Sequence, residues 1–233
     1  MIRFDKAQYR HQDFTLDMDF SVARNSFTAV LGPSGAGKST LLNVIAGFEP
    51  LAQGSLLIAG EDMAAVPPQS RPASMVFQDN NVFAHLSAFD NVALGIDPGL
   101  ALDTAGRERV AAALEAVGIA HLAARLPGSM SGGERQRIAL ARVLVRNRPV
   151  LLLDEAFAAL GPGLRRDMLQ LVQRLHRQLH LTTLMVTHAP EDARAVAASV
   201  IFVDAGEVRP PQPLADFFSS SDAAVQRYLG DWT

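Results

Sequence analysis

The stretch Gly32-Pro33-Ser34-Gly35-Ala36-Gly37-Lys38-Ser39-Thr40 decides the reading of this chain. Gly32, Gly37, Lys38 and Ser39 fit the spacing of a nucleotide phosphate loop. Three glycines let the backbone curl so that its N–H groups point at phosphate oxygens. Lys38 can reach the β- and γ-phosphates, and the Ser39 hydroxyl can ligand Mg²⁺. Phe27 to Leu31 before it is a short apolar run that reads as a buried parallel strand. Leu41, Leu42, Val44, Ile45 and Ala46 after it read as a helix closed by Gly47. Strand, loop and helix in this order set the positive end of a helix dipole beneath the phosphates.

Composition narrows what surrounds that site. The chain has 233 residues, 48 % hydrophobic and 19 % charged, enough for one large globular domain with a real core. A net charge of −3 supplies no broad attraction for nucleic acid or anionic lipid. With no cysteine, thiol catalysis, disulfides and zinc–cysteine centres are excluded, in keeping with a reducing compartment. Met1 to Lys6 lacks a signal-peptide pattern, and no run of 18 apolar residues occurs, so work at a membrane requires another chain as anchor.

Working outward, Phe14, Leu16, Met18, Phe20 and Val22 alternate with polar residues as a half-exposed antiparallel strand, and Asn25 suits the following turn. Gly54 to Ala59 and Ser74 to Phe77 read as further strands, separated by Pro67-Pro68. Residues 84–148 turn helical. Val110, Leu114 and Val117 share one helix face ending at Gly118, and a second helix runs from Ser131 to Arg146. Strands return at Val150–Leu153, Leu184–Val186 and Val200–Val203, with a helix between the first two whose apolar face holds Leu164, Met168, Leu171, Leu175 and Leu179. The expected fold is α/β: a phosphate-loop NTPase core with a mainly parallel sheet, an N-terminal antiparallel β subdomain and an inserted α-helical subdomain over 84–148. Residues 1–233 read as a single domain, with Pro210-Pro211-Gln212-Pro213 leading into a short tail over 210–233.

Three further sites carry chemistry. Val150–Leu153 runs into Asp154 and Glu155, placing two acids at the carboxyl end of a parallel strand, where α/β proteins bind ligands. Asp154 can hold Mg²⁺ directly or through water, leaving Glu155 to orient or deprotonate an attacking water. His188, just past the strand Leu184–Val186, can hydrogen-bond the γ-phosphate or that water. Gln78, after Met75-Val76-Phe77, has a carbonyl that can ligand Mg²⁺ and an NH₂ that can touch the water. Ser131-Gly132-Gly133-Glu134 opens a helix with two glycines and a hydroxyl. That start is a second anion site, an ordinary capping box, or both. One ATP does not need two such sites from one monomer, whereas two head-to-tail copies would give each ATP one site from each chain.

Taken in order, Gly32–Thr40, Gln78, Met130–Arg137, Val150–Glu155 and His188 resemble the motif set of the ATP-binding cassette (ABC) ATPases over nearly the whole chain. The resemblance implies ATP and Mg²⁺ as ligands and a homodimer with two ATPs between the phosphate loop of one subunit and Ser131–Glu134 of the other. It also implies transmembrane permease subunits as partners, a periplasmic solute-binding protein indirectly, and no nucleic acid. The expected location is the cytoplasmic face of the bacterial inner membrane. An aromatic stacking on adenine is implied too, with Tyr9 taken over Phe14. Between the motifs, Gln78–Leu86, Gly95–Leu100, Arg125–Gly128 and Leu184–His188 resemble the thiamine-importer branch, implying thiamine and its phosphate esters as cargo. In the family the segment after Gln78 helps dock the permease, giving Asn80–His85 a part in partner choice. Other importers, for iron, sulfate or polyamine, share the motifs but often add a C-terminal regulatory domain, and with Thr233 falling shortly after the core none is expected here. Two positions depart from the family pattern: Ala156 replaces a proline, and Gly161 replaces an aspartate that would link the two ATP sites. The loss at Gly161 implies weaker coupling between the sites or slower hydrolysis.

Overall fold

A computed structural model describes residues 1–77 and 81–230 of the chain. It opens with β1 (Ile2–His11), against which β2 (Phe14–Met18) and β3 (Ser21–Val22) pair antiparallel. Alternation drives the pairing: Leu16, Met18, Phe20 and Val22 are buried, while Asp17, Asp19 and Ser21 face solvent. Asn25 takes a left-handed φ of 58°, which its short polar side chain tolerates, and turns the chain into β4 (Phe27–Leu31). Then follow α1 (Lys38–Ala46), β5 (Gln53–Ile58), β6 (Glu61–Asp62) and β7 (Ala73–Val76). Helices α2 (Ala88–Ala93), α3 (Thr104–Ala116) and α4 (Gly132–Val145) are inserted before β8 (Val150–Asp154). The chain continues as α5 (Pro162–Gln178), β9 (Thr182–Val186), α6 (Pro190–Val196), β10 (Ser199–Asp204), β11 (Glu207–Val208), β12 (Gln212–Pro213), α7 (Leu214–Phe218) and α8 (Ala223–Gly230).

Strands β10, β4, β9, β8 and β7 lie side by side, all parallel. Every residue of β4 and β9 is buried, as expected of central strands covered on both faces. Their register sets the functional edge. Val186 pairs with both Val30 and Asp154, so the chain leaves β4, β8 and β9 at one level, at the carboxyl ends where loops bind ligands. The antiparallel block β6-β5-β1-β2 joins this core through β11, which pairs antiparallel with β10 and parallel with β2. Arg71, only 7 % exposed, ties down the end of α1 by donating to the carbonyls of Val44, Ile45 and Met63 at 2.6, 3.0 and 3.0 Å.

The α5 stripe is shorter than its periodicity suggests. Met168, Leu171 and Leu175 are buried, but Leu164 and Leu179, at the two ends, are 49 % and 47 % exposed. Leu164 instead leans over Gly133 of α4, where an added Cβ would lie 3.6 Å from it. The segment after Pro210 is less peripheral than its prolines imply. β12 pairs with β10, and the fully buried Phe217 ring lies 5.6 Å from that of Phe202, with Val225 and Leu229 in the same cluster. Arg209 pairs with Asp222 at 3.1 Å and Arg194 lies 4.0 Å over the Phe218 ring, fixing the segment at its rim. Among the described residues no helix is long and apolar enough to cross a membrane. Since Phe217 fills a closed part of the core, Phe217→Ala is expected to lower the unfolding free energy by about 3–5 kcal/mol in chemical denaturation. A loss below about 1 kcal/mol would show the C-terminal helices to be peripheral.

Candidate functional site

The loop Gly32–Gly37 owes its shape to glycine at two crowded positions. Gly32 has φ +151°, and a Cβ there would lie 2.0 Å from the Val203 carbonyl oxygen of β10. Gly37, at φ +106°, caps α1, and a Cβ would meet Phe14 at 2.8 Å and Leu16 at 2.9 Å. No larger residue fits either place without moving backbone or core. The Lys38 side chain, 4 % exposed, folds beneath the loop and donates from Nζ to the carbonyls of Gly32 at 2.9 Å and Pro33 at 2.7 Å. Burial pushes its pKa down, while the nearby Glu155 and Asp154 carboxylates push it back up. Pro33, Ser34 and Gly35 are exposed, Ala36 is buried, and Ser39 and Thr40 are partly exposed at the first turn of α1. That first turn carries no acidic residue, leaving its amides and dipole for an outside anion.

The acids sit opposite. Ser39 Oγ donates to Asp154 Oδ1 at 2.8 Å, bridging α1 and β8. Burial pushes the Asp154 carboxyl up, against the pull of the Ser39 hydroxyl and with a further push from Glu155. Glu155 leaves the strand with a left-handed φ of +47°, its amide held by the Val186 carbonyl at 3.2 Å. Its Oε1 lies 2.5 Å from His188 Nε2. An open pocket of about 260 Å³ gathers Ser34, Gly35, Gly37, Lys38, Ser39, Thr40, Glu155 and His188, with Phe14 along one side. The turn carrying His188 is braced by residues the sequence did not single out. Thr187 Oγ1 donates to Asp192 at 2.8 Å and accepts from the Ala189 amide at 3.1 Å, and Arg165 Nε reaches Asp192 at 2.9 Å. Asp192 in the first turn of α6, four residues after His188, was the available signal.

Tyr9 does not belong to this group. It is 7 % exposed in the core beneath the sheet, paired across strands with Leu16, so neither ring face is free to stack on a base. Phe14, partly exposed and lying against the position of Gly37, is the aromatic that reaches the pocket. Gln78 falls outside the described residues.

Ser131–Glu134 lies elsewhere on the chain and does not line the pocket at the phosphate loop. Ser131 caps α4 in a full capping box: its amide and hydroxyl donate to Glu134 Oε2 at 2.7 and 2.9 Å, and the Glu134 amide returns to Ser131 Oγ at 3.3 Å. The bonds from the Ser131 amide and then its hydroxyl hold the Glu134 carboxyl below its usual range. At this helix start Ser131 is exposed and Gly132 partly so, whereas Gly133 is buried with the Leu164 side chain over it. Gln136, one turn on and 3 % exposed, donates to the Ala156 carbonyl at 2.6 Å, joining this helix to the segment just after Glu155. Gly161 caps α5 at φ −63° with no side-chain bond, and a Cβ there would meet nothing, so the backbone itself would accept an aspartate.

For a metal, Ser39 and Asp154 offer two hard oxygens on a common bridge. Among the described residues no group of three or more histidines and acids converges. That fits Mg²⁺, which is held by one or two protein oxygens with phosphates and waters completing its shell. Because burial raises the Asp154 pKa, its ionised form costs the folded state stability at neutral pH. The cost fades as pH falls through the raised folded value and is gone below the ordinary aspartate value near 4. Asp154→Asn, free of nucleotide and metal, is therefore expected to be at least as stable as wild type at pH 7, with the advantage shrinking towards about pH 4. Denaturation at the two pH values checks this; a variant less stable by about 1 kcal/mol or more at pH 7 contradicts it.

The profile described as "ABC transporter" matches residues 15–158. The chain is 51 % identical over 230 residues to the thiamine import ATP-binding protein ThiQ of Mesorhizobium japonicum, covering 98 % of this chain and 91 % of that protein. It is 50 % identical to the protein of that name from Rhizobium meliloti (93 % and 92 % covered) and 48 % to that from Brucella suis (99 % and 96 %). Among solved structures, the ATP-binding cassette MJ0796, a dimer in a post-hydrolysis state bound to ADP and Pi, superposes with a TM-score of 0.77 at 26 % identity, covering 92 % of this chain and 99 % of that one. The fold, the order of motifs and these likenesses agree: the chain belongs to the ABC transporter family, as one of its ATPase cassettes.

Proposed function

We propose that two copies of this chain form the ATP-hydrolysing, energy-coupling unit of an importer for thiamine and its phosphate esters. The observation that carries the reading is spatial. Lys38, Ser39, Glu155 and His188 share one pocket with Asp154 bonded to Ser39, while the helix start at Ser131–Glu134 stands apart. A second copy placed head to tail brings its Ser131 and the amides of Gly132 and Gly133 onto the γ-phosphate that the first copy holds. MJ0796, solved as a dimer with ADP and Pi, supports such pairing. The relatives named for thiamine import support the cargo.

Each side chain then has a defined task. Lys38 gives up the carbonyls of Gly32 and Pro33 for phosphate oxygens. The loop amides and the α1 dipole take the rest of the anionic charge. Ser39 and Asp154 would hold Mg²⁺, which supplies charge neutralisation on the β- and γ-phosphates. Glu155 takes a proton from the water whose oxygen attacks the γ-phosphorus, and the bond to the β,γ-bridging oxygen breaks. His188 keeps the Glu155 carboxylate aimed and contacts the same phosphate; Gln78 is assigned to the water and the metal on its residue type. Loss of the γ-phosphate removes what held the two copies together, and the opening moves the permease.

The unit works at the cytoplasmic face of the inner membrane through that permease, served from outside by a periplasmic solute-binding protein. On this surface Phe83 is 47 % exposed, with the Arg142 guanidinium 5.3 Å from its ring centre. The fully buried Asn91 fixes the Phe83 backbone, accepting from its amide at 2.8 Å and donating to its carbonyl at 2.9 Å. Such bracing suits a rigid docking edge, and no residue of the cassette need touch cargo. In proteoliposomes holding this chain with its permease, ATP turnover is expected to rise on adding the thiamine-loaded binding protein, and Glu155→Gln to lower it about a thousandfold while ATP still binds. Stimulation by another solute but not thiamine overturns the cargo, and an active Glu155→Gln overturns the assignment of the base.

A further inference from the structure

Three successive peptide planes leave β8, and each is held by a different bond. The Asp154–Glu155 plane is held through the Glu155 amide, which donates to the Val186 carbonyl of β9 at 3.2 Å. The Glu155–Ala156 plane is held through the Glu155 carbonyl, which accepts the Ala158 amide at 3.1 Å and closes a tight turn. The Ala156–Phe157 plane, at the centre of that turn, is held from outside it: Gln136 Nε2 of α4 donates to the Ala156 carbonyl at 2.6 Å. Gln136, Ala156 and Phe157 are all buried, so loss of this donor would leave a carbonyl unpaired away from water. The other end of the same amide contributes nothing of the kind, for among the described residues Gln136 Oε1 has no partner. A methionine would fill the space without that unpaired oxygen, so what sets glutamine apart here is the Nε2 bond.

Glu155 opens this turn with a φ of +47°, a conformation that costs a non-glycine residue and lasts only while its neighbours over-determine it. Ala156 stands at the second place of the turn, where a proline would preset φ and alanine does not. We propose that Gln136 is a positioning residue for the base. By fixing the central peptide of the turn, it keeps Glu155 in its left-handed conformation, with Oε1 2.5 Å from His188 Nε2. Gln136 does not itself line the pocket at the phosphate loop. The inference rests on the reading of Glu155 as the base and of Ser131–Glu134 as the site offered to a second copy. On that reading α4 serves two ATPs, its start reaching the ATP of the other copy and Gln136 steadying the base of its own chain. A shift of α4 as the two copies close is then felt at both sites, a link that needs no aspartate at Gly161.

Gln136→Met, which keeps the length of the side chain and removes the donor, separates this role from packing. In the complex with the permease, kcat is expected to fall about ten- to a hundredfold while ATP affinity stays within about twofold of wild type. Ile138→Val trims the same helix at a buried position but keeps the amide, so kcat should change by less than about threefold. Because Gln136 acts only through Glu155, adding Gln136→Met to Glu155→Gln should lower the residual turnover no more than about twofold. Unchanged kcat in Gln136→Met overturns the proposal and leaves the nucleotide reading intact. So does a loss of ATP affinity as large as the loss of kcat, or an equal loss in Ile138→Val, since packing alone then accounts for the effect. A full further loss on top of Glu155→Gln overturns it as well. A wild-type complex that neither binds nor hydrolyses ATP removes the underlying reading itself.

Discussion

The ammonium of Lys38, buried beneath the loop and held by the carbonyls of Gly32 and Pro33, is the constraint on which the rest of the site depends. A lysine can lie there only if the chain passes over it without side chains in the way, and Gly32 and Gly37 are where a Cβ would collide. Those collisions involve the Val203 carbonyl of β10 and the side chains of Phe14 and Leu16 from the antiparallel block. The loop is thus clasped between the two blocks of the sheet, and β11 joining β10 to β2 keeps them in register. Geometry at one ammonium is transmitted to the architecture of the whole cassette.

The site holds its charges at a cost. Burial pushes Lys38 down and Asp154 up, so both charged forms are disfavoured relative to water. Glu155 adds a left-handed backbone at a non-glycine residue, and Gln136 Oε1 is left buried without a partner beside the helix start at Ser131. A triphosphate with its cation answers the first two directly, offering anions to Lys38 and a positive charge to Asp154. Stability given up at the buried Lys38 and Asp154 becomes affinity for a ligand that pairs them, the usual exchange at a functional centre.

Much of this was legible in the sequence, because the motifs are local and their spacing is mechanical. Gly32–Thr40 sets loop and helix in one stroke, the run Val150–Leu153 can only be an interior strand, and Ser131 with Glu134 announces a helix start three residues apart. What escaped was non-local. Tyr9 against Phe14 turns on the register break between Asp5 and Gln8, where Lys6 has φ +43°, so that Ala7 and Tyr9 point inward and strand parity is reset. Phe14 opens β2 next to the turn and is left at the pocket's edge. Leu164 and Leu179 share the stripe of α5 by periodicity, but the stripe overhangs its support at both ends. The prolines at 210–213 signal an extended segment correctly, yet not that β10 has a free edge for it or that Phe217 fills the core beyond.

The central claim is that each ATP lies between the phosphate loop of one copy and the Ser131 helix start of another. The absence of native cysteine makes a direct test possible. One copy carrying Ser34→Cys is mixed with a second, size-tagged copy carrying Ser131→Cys, and a short thiol-specific crosslinker is added with or without a non-hydrolysable ATP analogue and Mg²⁺. The account predicts a covalent pair of unequal copies that forms only with nucleotide present. Crosslinking that ignores nucleotide, or that fails between the two copies while ATP binds normally, would contradict it.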